Sequence, residues 1–272
     1  MGTGSTLACV GARPLGMGGA FIGLANDLNS IYWNPAGLSY LPRLEATYTR
    51  TLNKRLQVNY NDYLAIGGPW QTDTWQGGWG FSYIDARLKD SITEHTFIDQ
   101  WFNLGFALEL TSDLSAGLNL RYYAGNQRDS NNSSYAKAGA WEGDLAFHLN
   151  SLYPLQIGIL FQNVNQPRVH FPDFPGLNYK INLNIRPGLA YHLSPRSLIS
   201  ADIYDLTGKA GEGPFLNLGW ENQLNDFLCC RAGFFKKNLT LGLSLEGRNN
   251  RYDYTFIAGE YNVHFLGFTH RF

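Results

Sequence analysis

The sequence predicts an all-β protein: a transmembrane antiparallel β-barrel of about 14 strands whose N-terminal segment folds into the lumen. Three observations predict it. Apolar and polar residues alternate from about residue 44 onward, in about fourteen segments at roughly 16-residue spacing, each near the ~9–11 residues that a tilted strand needs to cross a bilayer. Charged residues make up only 16% of the 272-residue chain and aromatics reach 15%, where soluble domains carry about 25% charged residues. The connectors alternate between tight turns and longer polar loops, as outer-membrane barrels arrange them.

The alternation is clearest in Leu239, Leu241, Leu243 and Leu245, which face away from Thr240, Gly242, Ser244 and Glu246. Leu118, Leu120 and Tyr122 likewise oppose Gly117, Asn119 and Arg121, and Phe102, Leu104 and Phe106 oppose Asn103, Gly105 and Ala107. Ile181, Leu183 and Ile185 alternate with Asn182, Asn184 and Arg186. A soluble sandwich would alternate too. Two features favour the barrel. Aromatics near segment ends (Trp70, Trp79, Trp101, Tyr122, Tyr123, Trp141, Tyr191, Trp220, Tyr252 and Tyr254) suit interfacial girdles. The polar faces carry charges of both signs at Glu109, Arg121, Glu142, Asp144, Asp202, Glu221, Arg231, Glu246 and Arg271, which would meet across a wet lumen.

Tight turns are expected at 111–113, 150–154, 194–196 and 222–226, and longer loops at 85–96, 125–134, 165–177 and 206–213. The connector 67–77 reads as long where a short one is due, and Lys236-Lys237-Asn238 as short where a long one is due. The longest stretch free of charges, 145–167, is broken by Asn150, Pro154 and Asn163 and makes no spanning helix. A net charge of -1 excludes a general basic nucleic-acid surface. The N-terminus lacks a basic region and an apolar core, so an exported protein would have shed its signal before this sequence begins. Cys9, Cys229 and Cys230 form no disulfide framework; neighbouring strand residues point to opposite faces, so Cys229 and Cys230 do not pair.

Residues 1–43 break the alternation and form the expected plug; residues 44–272 form the barrel. Gly16, Gly18 and Gly19 permit close backbone approach, Asp27 or Asn29 caps a short helix, and Asn34-Pro35-Ala36-Gly37 makes a turn. No Gly-Lys-Ser/Thr follows, so this is not a phosphate loop.

Two motifs carry a family resemblance. Gly11-Ala12-Arg13 with Gly16-Met17-Gly18-Gly19-Ala20-Phe21, then Asn26-Asp27 and Trp33-Asn34-Pro35-Ala36-Gly37-Leu38, resembles the opening of the PorV/PorQ family of the FadL-like superfamily of outer-membrane proteins. The last residues, with Phe268 and terminal Phe272, are similar to that family's closing strand and its assembly signal. The resemblance implies a fourteen-stranded barrel in the bacterial outer membrane. It also implies contact with outer-membrane lipid and with the barrel-assembly machinery through the last strand. Its functional implication is a PorV-like accessory or scaffold role in type IX secretion or surface assembly, or FadL-like passive transport of hydrophobic small molecules. The loops are short for a transporter, which favours the scaffold. The loop with His170, Phe171, Phe174 and Leu177 would expose apolar side chains held by two prolines, a docking surface for a partner protein. Under the transport reading, a side exit is expected where the glycine-rich 75–83 strand weakens the wall. The six histidines show no zinc spacing and no Gly-x-Ser-x-Gly occurs, so no enzyme, metal or cofactor is expected.

Overall fold

The computed structural model describes residues 10–52, 60–89, 93–131, 133–172, 176, 178–211, 213–259 and 262–272. Cys9, Phe174 and Leu177 lie outside them. Two short helices, α1 (Ala12–Gly16) and α2 (Ser30–Trp33), and a 3-10 helix (Pro35–Tyr40) precede the strands. The strands are β1 (Glu45–Leu52), β2 (Tyr60–Gln71), β3 (Gln76–Lys89), β4 (Thr96–Glu109), β5 (Leu114–Arg128), β6 (Ser134–Leu152) and β7 (Leu155–Gln162). After a two-stranded hairpin of β8 (Arg168–Val169) and β9 (Tyr179–Lys180) come β10 (Asn184–Ser194), β11 (Ser197–Tyr204), β12 (Phe215–Asn225) and β13 (Leu228–Phe235). β14 (Asn238–Glu246), β15 (Asn250–Ile257) and β16 (Val263–Arg271) complete the chain.

Every strand except β8 and β9 joins one closed antiparallel barrel, in chain order, sealed where β16 pairs with β1 from Glu45↔Arg271 to Leu52↔His264. Closure gives every barrel strand a neighbour on both sides, the condition for a sheet in hydrocarbon. Period two then assigns the faces. Leu118, Leu120, Leu239, Leu241, Leu243 and Leu245 are exposed on the outside, and Asn119, Arg121, Thr240 and Ser244 are buried inside. A continuous apolar outer face on a closed barrel is a lipid-facing surface. β1, β7, β11, β13 and β15 hold 8 residues each, just under the ~9–11 of a tilted crossing, while β3 to β6, at 14 to 19 residues, exceed it and run further toward the loop end.

The short turns cluster at the end that holds Glu45 and Arg271, the terminus end, and the longer connectors at the other, the loop end. The connector 67–77 is itself short: β2 runs to Gln71 and β3 starts at Gln76, with Pro69 opposite Gly78. Lys236 and Lys237 do form a tight turn at the loop end, both with positive φ (52° and 94°). Trp141, Tyr191, Trp220 and Tyr252 face outward, as a girdle requires. Trp101 and Tyr123 do not. They pair across β4 and β5 on the same face as Asn103 and Arg121, with ring centroids 5.4 Å apart, and so turn inward. Ile181 and Leu183 precede β10 instead of belonging to it.

Candidate functional site: the plugged lumen

The centre of the lumen is filled by the N-terminal segment. Leu15, Met17, Phe21, Ile22, Leu24, Leu28, Ile31 and Leu38 of the N-terminal segment are each at most 1% exposed and form one core with inward residues such as Tyr63, Ala107 and Leu160. Glycines on the wall let this plug lie directly on the strands. A Cβ at Gly78 would strike the Leu38 carbonyl, one at Gly117 the backbone of Ala36, and one at Gly158 the Ile22 carbonyl. Gly18 is required twice over: its φ is +64° and a Cβ there would meet the backbone of Leu218 and Phe234. Gly11 and Gly19 also have positive φ, Gly16 packs against Gly242, and Gly37 lies against Ala25 within the plug.

Polar contacts fix the plug's backbone, since a buried peptide group must find a partner. Asp202 Oδ2 accepts from the amides of Phe21 (2.6 Å) and Ile22 (2.7 Å). Thr255 donates to the Ala12 carbonyl (2.6 Å) and Thr240 to that of Gly16 (3.1 Å). Asn34 donates to the carbonyls of Ile22 and Phe147, and Trp33 Nε1 to that of Val10. Pro35 starts the 3-10 helix, where Asn34 accepts from Ala36 N, and Asp27 Oδ1 accepts from Asn29 N ahead of α2. His148 reaches the Gly23 carbonyl (2.7 Å) and Tyr40, not Asp144.

At the terminus end, plug and wall share a closed ring of charges. Arg13 grips Glu221 with two 2.8 Å bonds and reaches Asp27 at 3.0 Å. Glu221 binds Arg231, Arg231 meets Asp253 at 3.4 Å, Asp253 holds Arg251 at 2.8 Å, and Arg251 returns to Asp27 at 3.0 Å. Burial alone would push the Asp27 carboxyl up, but the guanidiniums of Arg251 and Arg13 hold it well below the usual carboxylate range. A polar cavity of about 290 Å³ opens beside the ring, also lined by Arg43, Glu45, Glu246 and Arg271. Arg271 bridges Glu45 (3.1 Å) and Glu246 (3.5 Å) there.

Nearer the loop end, Arg121 holds Glu142 and Asp144 at 3.0 Å each and Asn163 at 2.8 Å. Above it the β8–β9 hairpin bends inward. Val169 (0% exposed) and Phe171 (5%) pack against Tyr123, Ala136 and Ala140. Phe171 is thus covered by the wall's apolar lining and is no exposed docking side chain; His170 is exposed. Glu109 sits at the terminus-end rim beside Gln76, away from the ring. Phe268 and Phe272 face outward on and after β16, Phe272 edge-on to His270 at 4.6 Å. Cys229 points inward and Cys230 is half-buried, both as free thiols. Among the described residues, no group of three or more His, Cys, Asp or Glu is placed to hold a metal.

The expected side exit at 75–83 is absent, because β3 is paired without interruption to β2 and to β4. The wall is thinner elsewhere. β7 ends at Gln162 while β6 continues, and beyond that point the Asn165 side chain satisfies Gly143 N (3.0 Å) and the Trp141 carbonyl (2.8 Å) in place of a strand. Sequence reasoning missed Arg251, Asp253 and Arg186 as lumen charges. The signal was present, since Arg251 and Asp253 alternate with the outward Tyr252 and Tyr254.

No protein-family model matches the chain, and no curated protein sequence matches it. Its fold has solved counterparts. The toluene transporter TbuX of Ralstonia pickettii aligns with a TM-score of 0.69 at 13% identity, covering 98% of this chain and 99% of that one. The toluene transporter TodX of Pseudomonas putida gives 0.65 at 14% identity over 96% of each chain. A Pseudomonas aeruginosa FadL homologue gives 0.61 at 11% identity over 97% and 98%. The barrel is therefore FadL-like in fold. These counterparts are transporters or a FadL homologue by description, and none is described as a secretion component.

Proposed function

We propose that the protein is an outer-membrane channel for passive uptake of hydrophobic small molecules, with residues 10–44 as its gate. The observation that carries this reading is the apolar filling of the lumen. A porin for polar solutes lines its bore with water and charge; here Phe21, Ile22, Ile31 and Leu38 occupy the bore's centre. A core of this kind exchanges contacts with an apolar guest at little desolvation cost and rejects sugars and ions. The descriptions of the TbuX and TodX folds as toluene transporters support the same reading. Lipid contact and the barrel-assembly machinery acting on β16 belong to this proposal.

A PorV-like scaffold in type IX secretion is the second reading. The plug motif around Arg13 and Trp33 favours it, together with the lock that ring and glycines place on the plug. The test is uptake by cells expressing the chain in an outer membrane. Labelled toluene is expected to enter faster than in vector controls while a disaccharide does not. Unchanged toluene entry together with a co-purifying surface protein would replace transport by the scaffold.

A further inference from the structure

Around β1 to β3 the outward cations near the loop end are matched: Arg50 by Asp62 at 3.8 Å, Arg87 by Asp85 at 2.8 Å and Lys89 by Glu94 at 3.9 Å. Beside β6 the pattern reverses. β7 ends at Gln162, and after the irregular residues 163–167 β8 continues its course along β6, with Val164 N bound to the Gly143 carbonyl (2.8 Å) and His170 bridged to Gly139. β9 returns beside β8 and leads toward β10. Val169 and Tyr179 lie opposite one another and turn to the apolar lining of the mouth. The next pair, Arg168 and Lys180, therefore points outward. His170 shares the side of Arg168, and Lys137, two residues from Gly139, shares the outward side of Trp141. Asn182, two residues beyond Lys180, donates to the Lys209 carbonyl (2.7 Å) and brings that residue alongside. All five basic residues are exposed, and none pairs with a carboxylate among the described residues.

Like charges directly opposite each other on a strand pair are destabilising. The hairpin that carries Arg168 and Lys180 has two residues on each strand, so its ladder does little to offset their repulsion. An anion between them does. Height identifies the anion. In outer-membrane barrels short turns face the periplasm, longer loops face the exterior, and aromatic girdles mark the edge of the hydrocarbon. Trp141, 58% exposed and 4.9 Å from Tyr122 between ring centroids, belongs to the girdle at the loop end. Asn165 donates to the Trp141 carbonyl and Arg168 follows three residues later, so the basic side chains stand at and just above that girdle. This is the depth of the outer-leaflet headgroups, where clustered Lys and Arg take phosphate through charge-assisted bonds. We propose that Arg168 and Lys180, flanked by Lys137, His170 and Lys209, bind the phosphate of an outer-leaflet glycolipid headgroup. The bound lipid screens the repulsion between Arg168 and Lys180 and covers the step in the wall where β6 outlasts β7. Val169 and Tyr179 line the mouth from the other face of the same two strands, so headgroup and mouth lining share one hairpin. This inference needs the outer-membrane location and not transport.

The test is lipid binding by the purified full-length barrel in mild detergent, read by native mass spectrometry. The probe is bisphosphorylated lipid A, compared with dephosphorylated lipid A and with inorganic phosphate. Wild type is expected to retain the phosphorylated lipid and to release the dephosphorylated one. Arg168→Gln combined with Lys180→Gln is expected to weaken retention about 10- to 30-fold, near the value of two basic side chains at an anionic lipid surface. Arg50→Gln, at a residue already matched by Asp62, is the control and is expected to leave retention unchanged. Heat-modifiable migration reports folding of each variant. Should the double variant not fold, Lys180→Gln alone, expected to lose about 5-fold, and the wild-type preference for phosphorylated lipid decide. Equal retention of the two lipids, a double variant that binds as wild type does, or an equal loss in Arg50→Gln would overturn the assignment. Displacement of lipid A by inorganic phosphate at equal concentration would replace the lipid with a soluble anion. Toluene entry is expected to be the same in wild type and variants, so failure of this site and failure of transport are read apart.

Discussion

Two arginine sites of the lumen, the ring at the terminus end and Arg186 on β10, are partnered differently. At the terminus end each guanidinium in the ring is matched by two carboxylates, and two of its six members, Arg13 and Asp27, come from the plug. On β10, Arg186 lies over the rings of Trp33 and Tyr204 with no carboxylate in hydrogen-bond contact, its charge acting on Asp202 without a direct bond. Saturated pairing makes an anchor, because removing any member strands a buried charge.

The largest expected effect breaks the anchor. Arg13→Ala leaves Glu221 and Asp27 short of a buried partner and should cost about 3–5 kcal/mol, read as a lower unfolding midpoint in detergent and faster proteolysis within residues 10–44. Next, Gly158→Val drives a side chain into the Ile22 carbonyl. It should cost about 1–3 kcal/mol as overpacking and loosen the plug without touching the ring, a difference that hydrogen exchange of the plug amides resolves. The smallest effect has the opposite sign. Arg186→Met removes a buried charge that has no hydrogen-bonded carboxylate and should raise stability by about 1 kcal/mol. A midpoint lowered as far as that of Arg13→Ala would erase the contrast between the two regions.

The sequence made the barrel legible because one physical rule, alternation, governs each strand locally. Leu239 to Leu245 needs no knowledge of its neighbours to declare an outer face. The same rule placed Arg121, Asp202 and Arg231 inside. What lay beyond it were facts of register between distant segments. Arg13 and Glu221 are 208 positions apart, and their meeting depends on how the plug threads the closed barrel. Trp101 and Tyr123 read as girdle residues because they sit near strand ends; parity with Asn103 and Arg121 outweighs that position and turns them inward. Phe171 read as exposed because its loop is long, and the fold bends that loop into the mouth.

The central claim is that hydrophobic guests pass only when the plug yields, and a reversible lock tests it most directly. Ala12 of the plug lies against Gly267 of β16, where a Cβ would sit 3.1 Å from that of Ala12, so a shift of about half an ångström brings the pair to the ~3.5–4.5 Å of a disulfide. Residue 44 leads straight into β1, so a bond at residue 12 pins both ends of the plug. With the native cysteines replaced by alanine, Ala12→Cys with Gly267→Cys should take up hydrophobic substrate when reduced, stop when oxidised, and recover on reduction. Uptake that continues undiminished in the fully oxidised barrel would contradict a gate formed by residues 10–44.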